Sequence, residues 1–357
     1  MNSADDGIIY ASVPVQLIQY EDGVIVKRGT LETYVRGEKA FAVLQSILDQ
    51  AAKGAAIDEF ASSFPPEERP AVDYILEKLI ERRLLVPATD APEFGAAAET
   101  PEDVFYWEFN QDAKLVRAGL RDVRIAIIGV NEIARELVEC LAHSGFEAYH
   151  VIDYDRLRNL HFYRDDGALD LDRWTGLSPV PVTDWEREVH HRGVDCVVAT
   201  ADHGGMHWLR GWNARCVARR YHFFPVVLYN MIGSVGPLVI PGETACLECL
   251  RARQNSNLSH PDAQRAAELV AFESQAVLGY HPLMPRAVAQ IAAMELVKFH
   301  SRALPFARVG SLIEMDLLTP GLTTRRVLRV PSCPVCGSLQ TNAPAGASPL
   351  ENAMPGR

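Results

Sequence analysis

The sequence predicts an α/β protein whose main domain is built on a mostly parallel sheet, with a smaller module in front of it. The apolar strand Ile125–Ile128 ends at Gly129, and apolar residues then recur at helical spacing. A second apolar strand, residues 148–152, ends at Asp153. This order is strand, helix, strand, with a glycine after the first strand and an acid after the second. It is typical of a nucleotide-binding, Rossmann-like sheet.

The glycine motif at the first turn is incomplete. The three glycine positions of the pattern G-x-G-x-x-G hold Gly129, Asn131 and Ala134 in this chain. Glycine at these positions lets backbone N–H groups approach a phosphate closely. The sequence therefore predicts a nucleotide-binding type of sheet with an impaired nucleotide site.

Composition limits the class of protein. The chain has 357 residues, 48% of them hydrophobic, and a net charge of -11. This length allows two domains, and the acidic balance argues against nucleic acid as the main partner. No apolar run approaches the ~20 residues that span a membrane, and the first residues lack the order of a signal peptide. We expect a soluble, cytoplasmic protein with no membrane partner.

The first 88 residues contain a separate module, residues 12–88. Three short strands are predicted, and three helices follow them. The predicted strands are 15–20, 23–27 and 31–35, and the first two predicted helices are 38–52 and 57–64. The third helix is predicted to start near Pro66 or Pro70 and to end at about residue 83. Three strands followed by three helices is the order of a winged helix-turn-helix.

Charge decides which use of a winged module is favoured. Residues 1–90 contain nine Lys or Arg and fifteen Asp or Glu, and an acidic module is a poor binder of phosphates. Such a module can instead capture a peptide, which adds a strand beside the third strand and packs against the third helix. Residue types alone leave three interpretations open, namely peptide binding, structural packing and DNA binding, in that order.

The remaining boundaries follow from composition. Residues 89–103 are predicted to be a linker, residues 104–338 the sheet domain and residues 339–357 a disordered tail rich in Ala, Pro and Gly. Thr100 followed by a proline marks a helix start. The helix 104–110 is rich in aromatic residues, so it is expected to dock on the sheet domain.

Polar residues follow the predicted strands of the sheet domain. Asp155 lies just after the second strand, and Asp202 follows the third strand, residues 194–199. Acids just past the carboxyl ends of parallel strands lie where open α/β sheets bind ligands. The helix after Asp202 carries Arg210 and Asn213.

Two C-x-x-C pairs, Cys246 with Cys249 and Cys333 with Cys336, form the strongest single signal in the chain. Each pair places two thiolates on one turn, and two such turns make a tetrahedral sulfur site for structural zinc. No ligand position is left open, so the zinc is not expected to be catalytic. The remaining cysteines are predicted to be core residues, because they lie in apolar surroundings.

Together these motifs resemble the ThiF/ubiquitin-activating-enzyme-like superfamily over about residues 100–337. The resemblance rests on the Gly129 turn, Asp153 and Asp155, Asn159, Asp202 with Arg210 and Asn213, the stretch 233–236, and Pro241-Gly242 before the first cysteine pair. With the module in front, the chain is similar to two groups of proteins in ribosomal-peptide biosynthesis. One group is the leader-binding partners of YcaO cyclodehydratases, and the other is the adenylating enzymes of the microcin C type.

The resemblance implies roles for named residues. The module would be a PqqD-like element that grips a precursor leader peptide, with Leu31, Thr33 and Val35 for backbone pairing. Candidates for the rim of its groove are Tyr74, Lys78 and Arg82, and an ordinary solvated helix face is the alternative for them. In a working nucleotide site Asp153 would hold the ribose of ATP and Asp202 its magnesium, with Gly129, Asp155, Arg210 and Asn213 beside them.

One cation of that site is missing. The chain has no lysine between Lys114 and Lys298, so the phosphate-binding lysine of the family has no candidate. Arg135, Arg164 or Arg173 could substitute, but arginine is not an equivalent point charge. We therefore expect a leader-binding partner of a YcaO cyclodehydratase that forms azolines. The alternative is an ATP- and magnesium-dependent enzyme that adenylates a peptide carboxylate. The resemblance also implies a homodimer.

Overall fold

The structure is a computed structural model that divides the chain into two compact units, Met1–Val116 and Arg117–Arg357. The predicted sheet domain instead starts at residue 104. Residues 89–99 of the predicted linker and the predicted tail, residues 339–357, lie outside the described residues. The structure describes residues 8–88, 100–109, 111–174, 177–185, 193–274, 279–305, 307–319 and 321–337.

The first unit contains the three strands and three helices that the sequence predicts for the module. Short strands before, between and after them were not predicted, because two to four residues give no alternating pattern. In chain order the elements are β1 (Ile9–Ser12), β2 (Gln16–Tyr20), β3 (Gly23–Arg28), β4 (Leu31–Arg36), α1 (Ala40–Ala51), β5 (Ala55–Ala56), α2 (Ile57–Ser62), α3 (Arg69–Glu81), β6 (Leu85–Pro87) and α4 (Pro101–Trp107). Helix α5 (Ala113–Arg121) crosses the division between the units.

Two small antiparallel sheets organise this unit. One has the order β2-β3-β4 and the other the order β5-β1-β6. Side chains from both sheets and from α1, α2 and α3 form one buried cluster, which includes Val26, Leu44, Ile47, Phe60 and Leu76. The module therefore has a hydrophobic core of its own.

The end of α4 is bonded to the turn between β3 and β4. The buried Arg28 donates from Nη2 to the carbonyl of Trp107 at 3.2 Å, and the backbone N–H of Thr30 donates to the Glu108 carboxylate at 2.7 Å. These bonds lie within the first unit and fix the position of the β3–β4 hairpin. The helix begins after Thr100, as predicted. Its predicted docking on the sheet domain stays a prediction.

The second unit contains the predicted parallel strands and the helices between them. No helix among the described residues of either unit is long and apolar enough to cross a membrane. The elements are β7 (Ile125–Ile128), α6 (Glu132–His143), β8 (Tyr149–Asp153), β9 (Val180–Pro181), β10 (Cys196–Ala201), α7 (Met206–Arg219), β11 (His222–Tyr229), β12 (Ile232–Val235), α8 (Leu247–Asn255), α9 (Pro261–Ser274), α10 (Leu283–Ser301), β13 (Ser311–Asp316) and β14 (Gly321–Arg326).

These strands form one eight-stranded sheet with the order β14-β13-β12-β11-β10-β7-β8-β9. The five neighbouring strands β11, β10, β7, β8 and β9 pair in parallel. Strands β12, β13 and β14 extend the sheet beyond β11 with antiparallel pairing. The chain order reverses between β7 and β10, which makes the carboxyl ends of these two strands a topological switch point. The mostly parallel α/β sheet predicted from the sequence is confirmed.

The sheet is buried on both faces. All residues of β7 and β10 are buried, which explains why these strands read as unbroken apolar runs. Cys196 and Cys216 have no exposed surface and belong to the core, as predicted, while Cys140 is half-buried.

A histidine near the end of α10 makes the stability of this unit depend on pH. Burial, and the charge of His222 next, lower the pKa of His300 from 6.5 to about 4. The folded state thus holds His300 neutral, whereas the unfolded chain protonates it below pH 6.5. We expect the free energy of unfolding to fall by about 2–3 kcal/mol as the pH falls from 6.5 to 4, measured by urea denaturation at several pH values.

The substitution His300→Gln removes the titrating group and is expected to flatten this pH dependence. The same change at the exposed His260 provides the control and should leave the dependence as it is. Equal slopes for wild type and His300→Gln between pH 6.5 and 4 would show that another group is responsible.

Candidate functional site

The turn after β7 is filled by the side chain of Asn131. This residue is fully buried. Its Nδ2 donates to the carbonyls of Thr200 and Leu157, at 3.0 and 3.2 Å, and its Oδ1 accepts from the backbone N–H of Ala134 at 3.0 Å. Asn131 thus caps α6 and occupies space beside Gly129. A Cβ at Gly129 would lie 2.7 Å from Asn131 Nδ2, so this first glycine is required sterically.

The Asp202 carboxylate follows β10 and is bonded within the protein. It is 4% exposed, and one oxygen accepts from the N–H of Glu132 at 2.9 Å, from Nδ2 of Asn159 at 2.8 Å and from the hydroxyl of Tyr280 at 2.7 Å. Burial, and the charge of Asp202 next, raise the pKa of Tyr280, so its hydroxyl stays a donor. A magnesium ion at this oxygen would have to displace these donors.

Asp153, the expected ribose ligand, forms a bidentate ion pair instead. Nε and Nη2 of Arg158 donate to its two oxygens at 2.7 and 2.8 Å, and the Tyr163 hydroxyl donates to it at 3.0 Å. The Arg158 guanidinium also stacks over the Tyr163 ring at 4.5 Å. Asp155 points away into solvent, with 62% of its side chain exposed.

The arginines considered as substitutes for the missing lysine are mostly engaged elsewhere. Arg135 pairs with Glu132 at 2.6 Å, and Arg173 pairs with Asp170 at 3.3 Å. Arg164 is exposed. Arg135 and Arg173 would therefore have to leave these carboxylates to contact a phosphate.

Arg210 and Asn213 contact the first cysteine turn. Both atoms of the Arg210 fork donate to Glu248 at 2.7 Å, and Glu248 lies between Cys246 and Cys249. Oδ1 of Asn213 accepts from the backbone N–H of Leu247 at 3.1 Å. The sequence analysis placed Arg210 and Asn213 beside the nucleotide. In the structure both residues are bonded to the cysteine turn instead.

The four cysteines of the two C-x-x-C pairs lie together and are all buried. Their sulfur atoms lie within 4.8 Å of one another, and adjacent pairs are 3.4 to 3.9 Å apart. Tetrahedral zinc with four Zn–S bonds of about 2.3 Å requires sulfurs about 3.8 Å apart, whereas a disulfide requires about 2.05 Å. These four side chains can hold a metal ion, and their spacing fits zinc.

The β2-β3-β4 sheet leaves β4 as an edge among the described strands. Two-residue turns join β2 to β3 and β3 to β4, because Tyr20 pairs with Gly23 and Arg28 with Leu31. The two residues that flank such a turn form a hydrogen-bonded pair. Hydrogen-bonded and non-hydrogen-bonded pairs then alternate along the two strands. The backbone groups of Leu31, Thr33 and Val35 therefore face β3.

The free edge of β4 is consequently formed by the backbone of Glu32 and Tyr34. This register corrects the predicted use of Leu31, Thr33 and Val35 for backbone pairing with a peptide. Their side chains are half-buried, and Leu31 and Val35 pack against the core of the module, as Ile75 of α3 does.

Helix α3 is bonded near both of its ends, to the start of α1 and to the end of β3. Lys39 Nζ lies 2.6 Å from the Glu68 carboxylate before α3 begins, and Arg28 Nη1 donates to the carbonyl of Arg83 after α3 ends, at 3.1 Å. The predicted rim residues on α3 lie at its surface. Tyr74 is 61% exposed, Lys78 pairs with Glu81, and Arg82 is exposed.

Sequence reasoning missed the partners that bond the acids of the sheet unit. Arg158 and Tyr163 lie five and ten residues after Asp153. The arginine so close to the acid in the sequence could have indicated an ion pair with Asp153. Tyr280 is 78 residues from Asp202 in the chain, and no local pattern indicates that they meet.

No protein-family model matches the sequence, and no curated protein matches it. Solved structures do match the fold. The chain is similar to E. coli MccB with ATP (19% identity, TM-score 0.63, covering 92% of this chain and 100% of that chain). It is also similar to the microcin C7 biosynthetic enzyme MccB in complex with N-formylated MccA (19%, 0.65, 92% and 100%).

A third match is the heterocyclase TruD, with 17% identity and a TM-score of 0.60. It covers 92% of this chain and 43% of the TruD chain. The expected resemblance to ThiF-like proteins with microcin C-type relatives is thereby confirmed at the level of the fold. The chain has the fold of the MccB structures along nearly its whole length.

Proposed function

We propose that this protein binds the leader of a ribosomally made precursor peptide and presents the peptide to a partner YcaO cyclodehydratase, which forms azolines. The first unit would act as a winged, PqqD-like module. The second unit would be a scaffold stabilised by zinc. The similarity of the fold to an MccB bound to the peptide MccA supports peptide capture.

The proposed peptide site lies along β4 and α3. A peptide strand would pair with the outward backbone groups of Glu32 and Tyr34. Its side chains would pack against the half-buried Leu31 and Val35 and against Ile75 of α3. The exposed Tyr74 and the partly exposed Lys78, whose ammonium lies 5.9 Å from the Tyr74 ring, would form the rim on the helix.

One observation favours a scaffold over an enzyme: the chain itself occupies the polar groups of the nucleotide site. Asp202 accepts three hydrogen bonds, Asp153 is paired with Arg158, and Asn131 fills the space beside Gly129. Replacing these internal bonds with bonds to ATP and magnesium would cost the desolvation of each group. The site would also still lack a lysine to contact the phosphates, because the chain has none between Lys114 and Lys298.

The second candidate is an enzyme that adenylates a peptide carboxylate with ATP and magnesium. It is supported by the likeness of the fold to MccB with ATP over 100% of that chain. In this case Tyr280 and Arg158 would have to release Asp202 and Asp153 when the nucleotide enters.

Calorimetric titration with ATP and magnesium, with and without a precursor peptide, separates the two candidates. We expect micromolar or tighter peptide binding and no nucleotide binding in either case. The substitution Tyr280→Phe frees one position at Asp202 and is still expected to give no nucleotide binding, because Asn131 and the missing cation remain. Nucleotide binding with release of pyrophosphate on adding peptide would establish the adenylating enzyme instead.

Superfamily resemblance also suggests a homodimer, and light scattering at micromolar concentration tests it. A mass near that of one chain would exclude the dimer.

A further inference from the structure

The outer side of α7 borders a cleft of about 530 Å³. This volume is in the range of ligand-binding clefts. Residues of α7 form one side, and the two cysteine turns form the other. The residues that line it include Trp208, Arg210, Gly211, Arg215, Glu248 and Val335.

The helix that borders the cleft is cationic in an acidic protein. The chain carries a net charge of -11, yet α7 contains three arginines and no Asp or Glu. Arg210 is neutralised by its bidentate pair with Glu248. Arg156 lies over the Trp208 ring at 4.9 Å, with Asp155 at 3.7 Å.

Arg215 is different, because no carboxylate among the described residues pairs with it. Its guanidinium stacks over the Trp212 ring at 4.9 Å and is exposed. Stacking fixes the plane of the guanidinium and leaves its N–H groups available to a bidentate acceptor such as a carboxylate. One unpaired cation therefore lies beside the half-buried apolar surface of Trp208 and Val335.

From this charge and shape we propose that the cleft binds a polypeptide segment that carries a carboxylate next to an apolar side chain. The carboxylate would pair with Arg215, and the apolar side chain would lie against Trp208 and Val335. His207 and Pro334 at its border are exposed, so a chain can enter without a rearrangement of the fold. This site goes beyond the leader-binding function and lies in the other unit.

The wall opposite α7 is made by the cysteine turns, which links the cleft to the metal site. Glu248 lies between Cys246 and Cys249, and Val335 lies between Cys333 and Cys336. Without metal the two cysteine turns would no longer be held together, and the wall of the cleft that they form would move. Removal of metal by a chelator is therefore also expected to weaken binding at the cleft.

The test uses the full chain and a short, blocked, fluorescently labelled peptide that alternates glutamate and leucine, with fluorescence anisotropy as the measurement. A peptide with lysine in place of glutamate serves as the reference. We expect saturable binding of the glutamate peptide only. Arg215→Glu should weaken it by about tenfold or more. Arg326→Glu, the same charge change on the exposed end of β14, should not.

A second variant blocks the cleft without removing a charge. No atom lies within 4 Å of a Cβ built at Gly211, so Gly211→Leu fits the backbone and projects into the cleft. Leucine also favours a helix over glycine by roughly 0.8–1 kcal/mol, so the melting temperature should not fall. Gly119 of α5 also has no atom within 4 Å of its built Cβ, and Gly119→Leu is the matched control that should bind normally.

Four outcomes would overturn the proposal. One is no saturable binding of the glutamate peptide, and another is equal binding by Gly211→Leu and wild type. The third is equally tight binding of N-acetylglutamate, which would make the site one for small carboxylates. Sedimentation of Arg215→Glu as a smaller species than wild type would instead assign the cleft to a second copy of this chain.

Discussion

Replacing Cys249 with serine is expected to remove the bound metal and to lower the melting temperature by about 10 °C or more. The four buried sulfurs lie close together, with adjacent sulfurs 3.4 to 3.9 Å apart, so one metal ion can contact all of them. Structural zinc sites contribute many kcal/mol to folding, and each kcal/mol is worth about 2–4 °C in a domain of this size. Serine is a poor zinc ligand, so three thiolates would remain.

The measurement is metal content by elemental analysis together with thermal unfolding. Cys140→Ser is the control, because Cys140 is half-buried in α6 and lies outside the cluster. It should keep one zinc per chain and nearly the wild-type melting temperature. Zinc-free wild-type protein that melts at the same temperature as zinc-loaded protein would contradict a structural role for the metal.

The cysteine turns also connect features that are far apart in the chain. Glu248, within the first turn, is the partner of Arg210 on α7, and the backbone of Val330 donates to the sulfur of Cys249 at 3.4 Å. Arg253 of α8 donates to the carbonyl of Leu328 at 2.7 Å. The cysteine cluster therefore lies where α7, α8 and the chain after β14 meet.

Two acids of the sheet unit, Asp153 and Asp202, are bonded within the protein. Asp153 ends β8 and Asp202 follows β10, so both lie at the carboxyl edge of the parallel strands, where ligands bind in such folds. Their charges are now met by Arg158 and by hydrogen-bond donors that include Tyr280. A carboxylate that is wholly or partly buried without such partners would be costly, so these bonds stabilise the fold around both acids.

The sequence predicts the parallel strands well because their burial leaves a local trace. Ile125–Ile128 is buried on both faces and reads as an unbroken apolar run. The cysteine pairs are equally clear, since metal ligands need close spacing on a turn. Contacts across the fold leave no such trace, and the bond from Tyr280 to Asp202 is therefore visible only in the structure.

The edge of β4 is an intermediate case. Alternation along the strand shows that the side chains of Leu31, Thr33 and Val35 share a face. Which backbone groups point away from β3 depends on the number of residues in the preceding turn. The pairing of Arg28 with Leu31 gives the outward positions to Glu32 and Tyr34.

This register makes a sharp prediction for the proposed peptide site. Proline at position 34 removes one N–H from the outward edge of β4 and places its ring there. Tyr34→Pro is expected to weaken binding of the precursor peptide by at least about tenfold, because a peptide strand loses a backbone bond and meets a steric block. Proline is tolerated on edge strands where its nitrogen faces outward, so the fold should persist. Titration calorimetry and circular dichroism measure the two effects.

Tyr34→Ala is the matched control, because it also removes the phenol that donates to Asp22 at 2.6 Å but keeps the backbone N–H. It should bind the peptide within a few-fold of wild type. Thr33→Pro provides the opposite case. It removes an N–H that faces β3, so it should destabilise the hairpin itself. Equal peptide affinity for Tyr34→Pro and Tyr34→Ala would rule out strand addition at β4 and direct the search for the leader site to another surface.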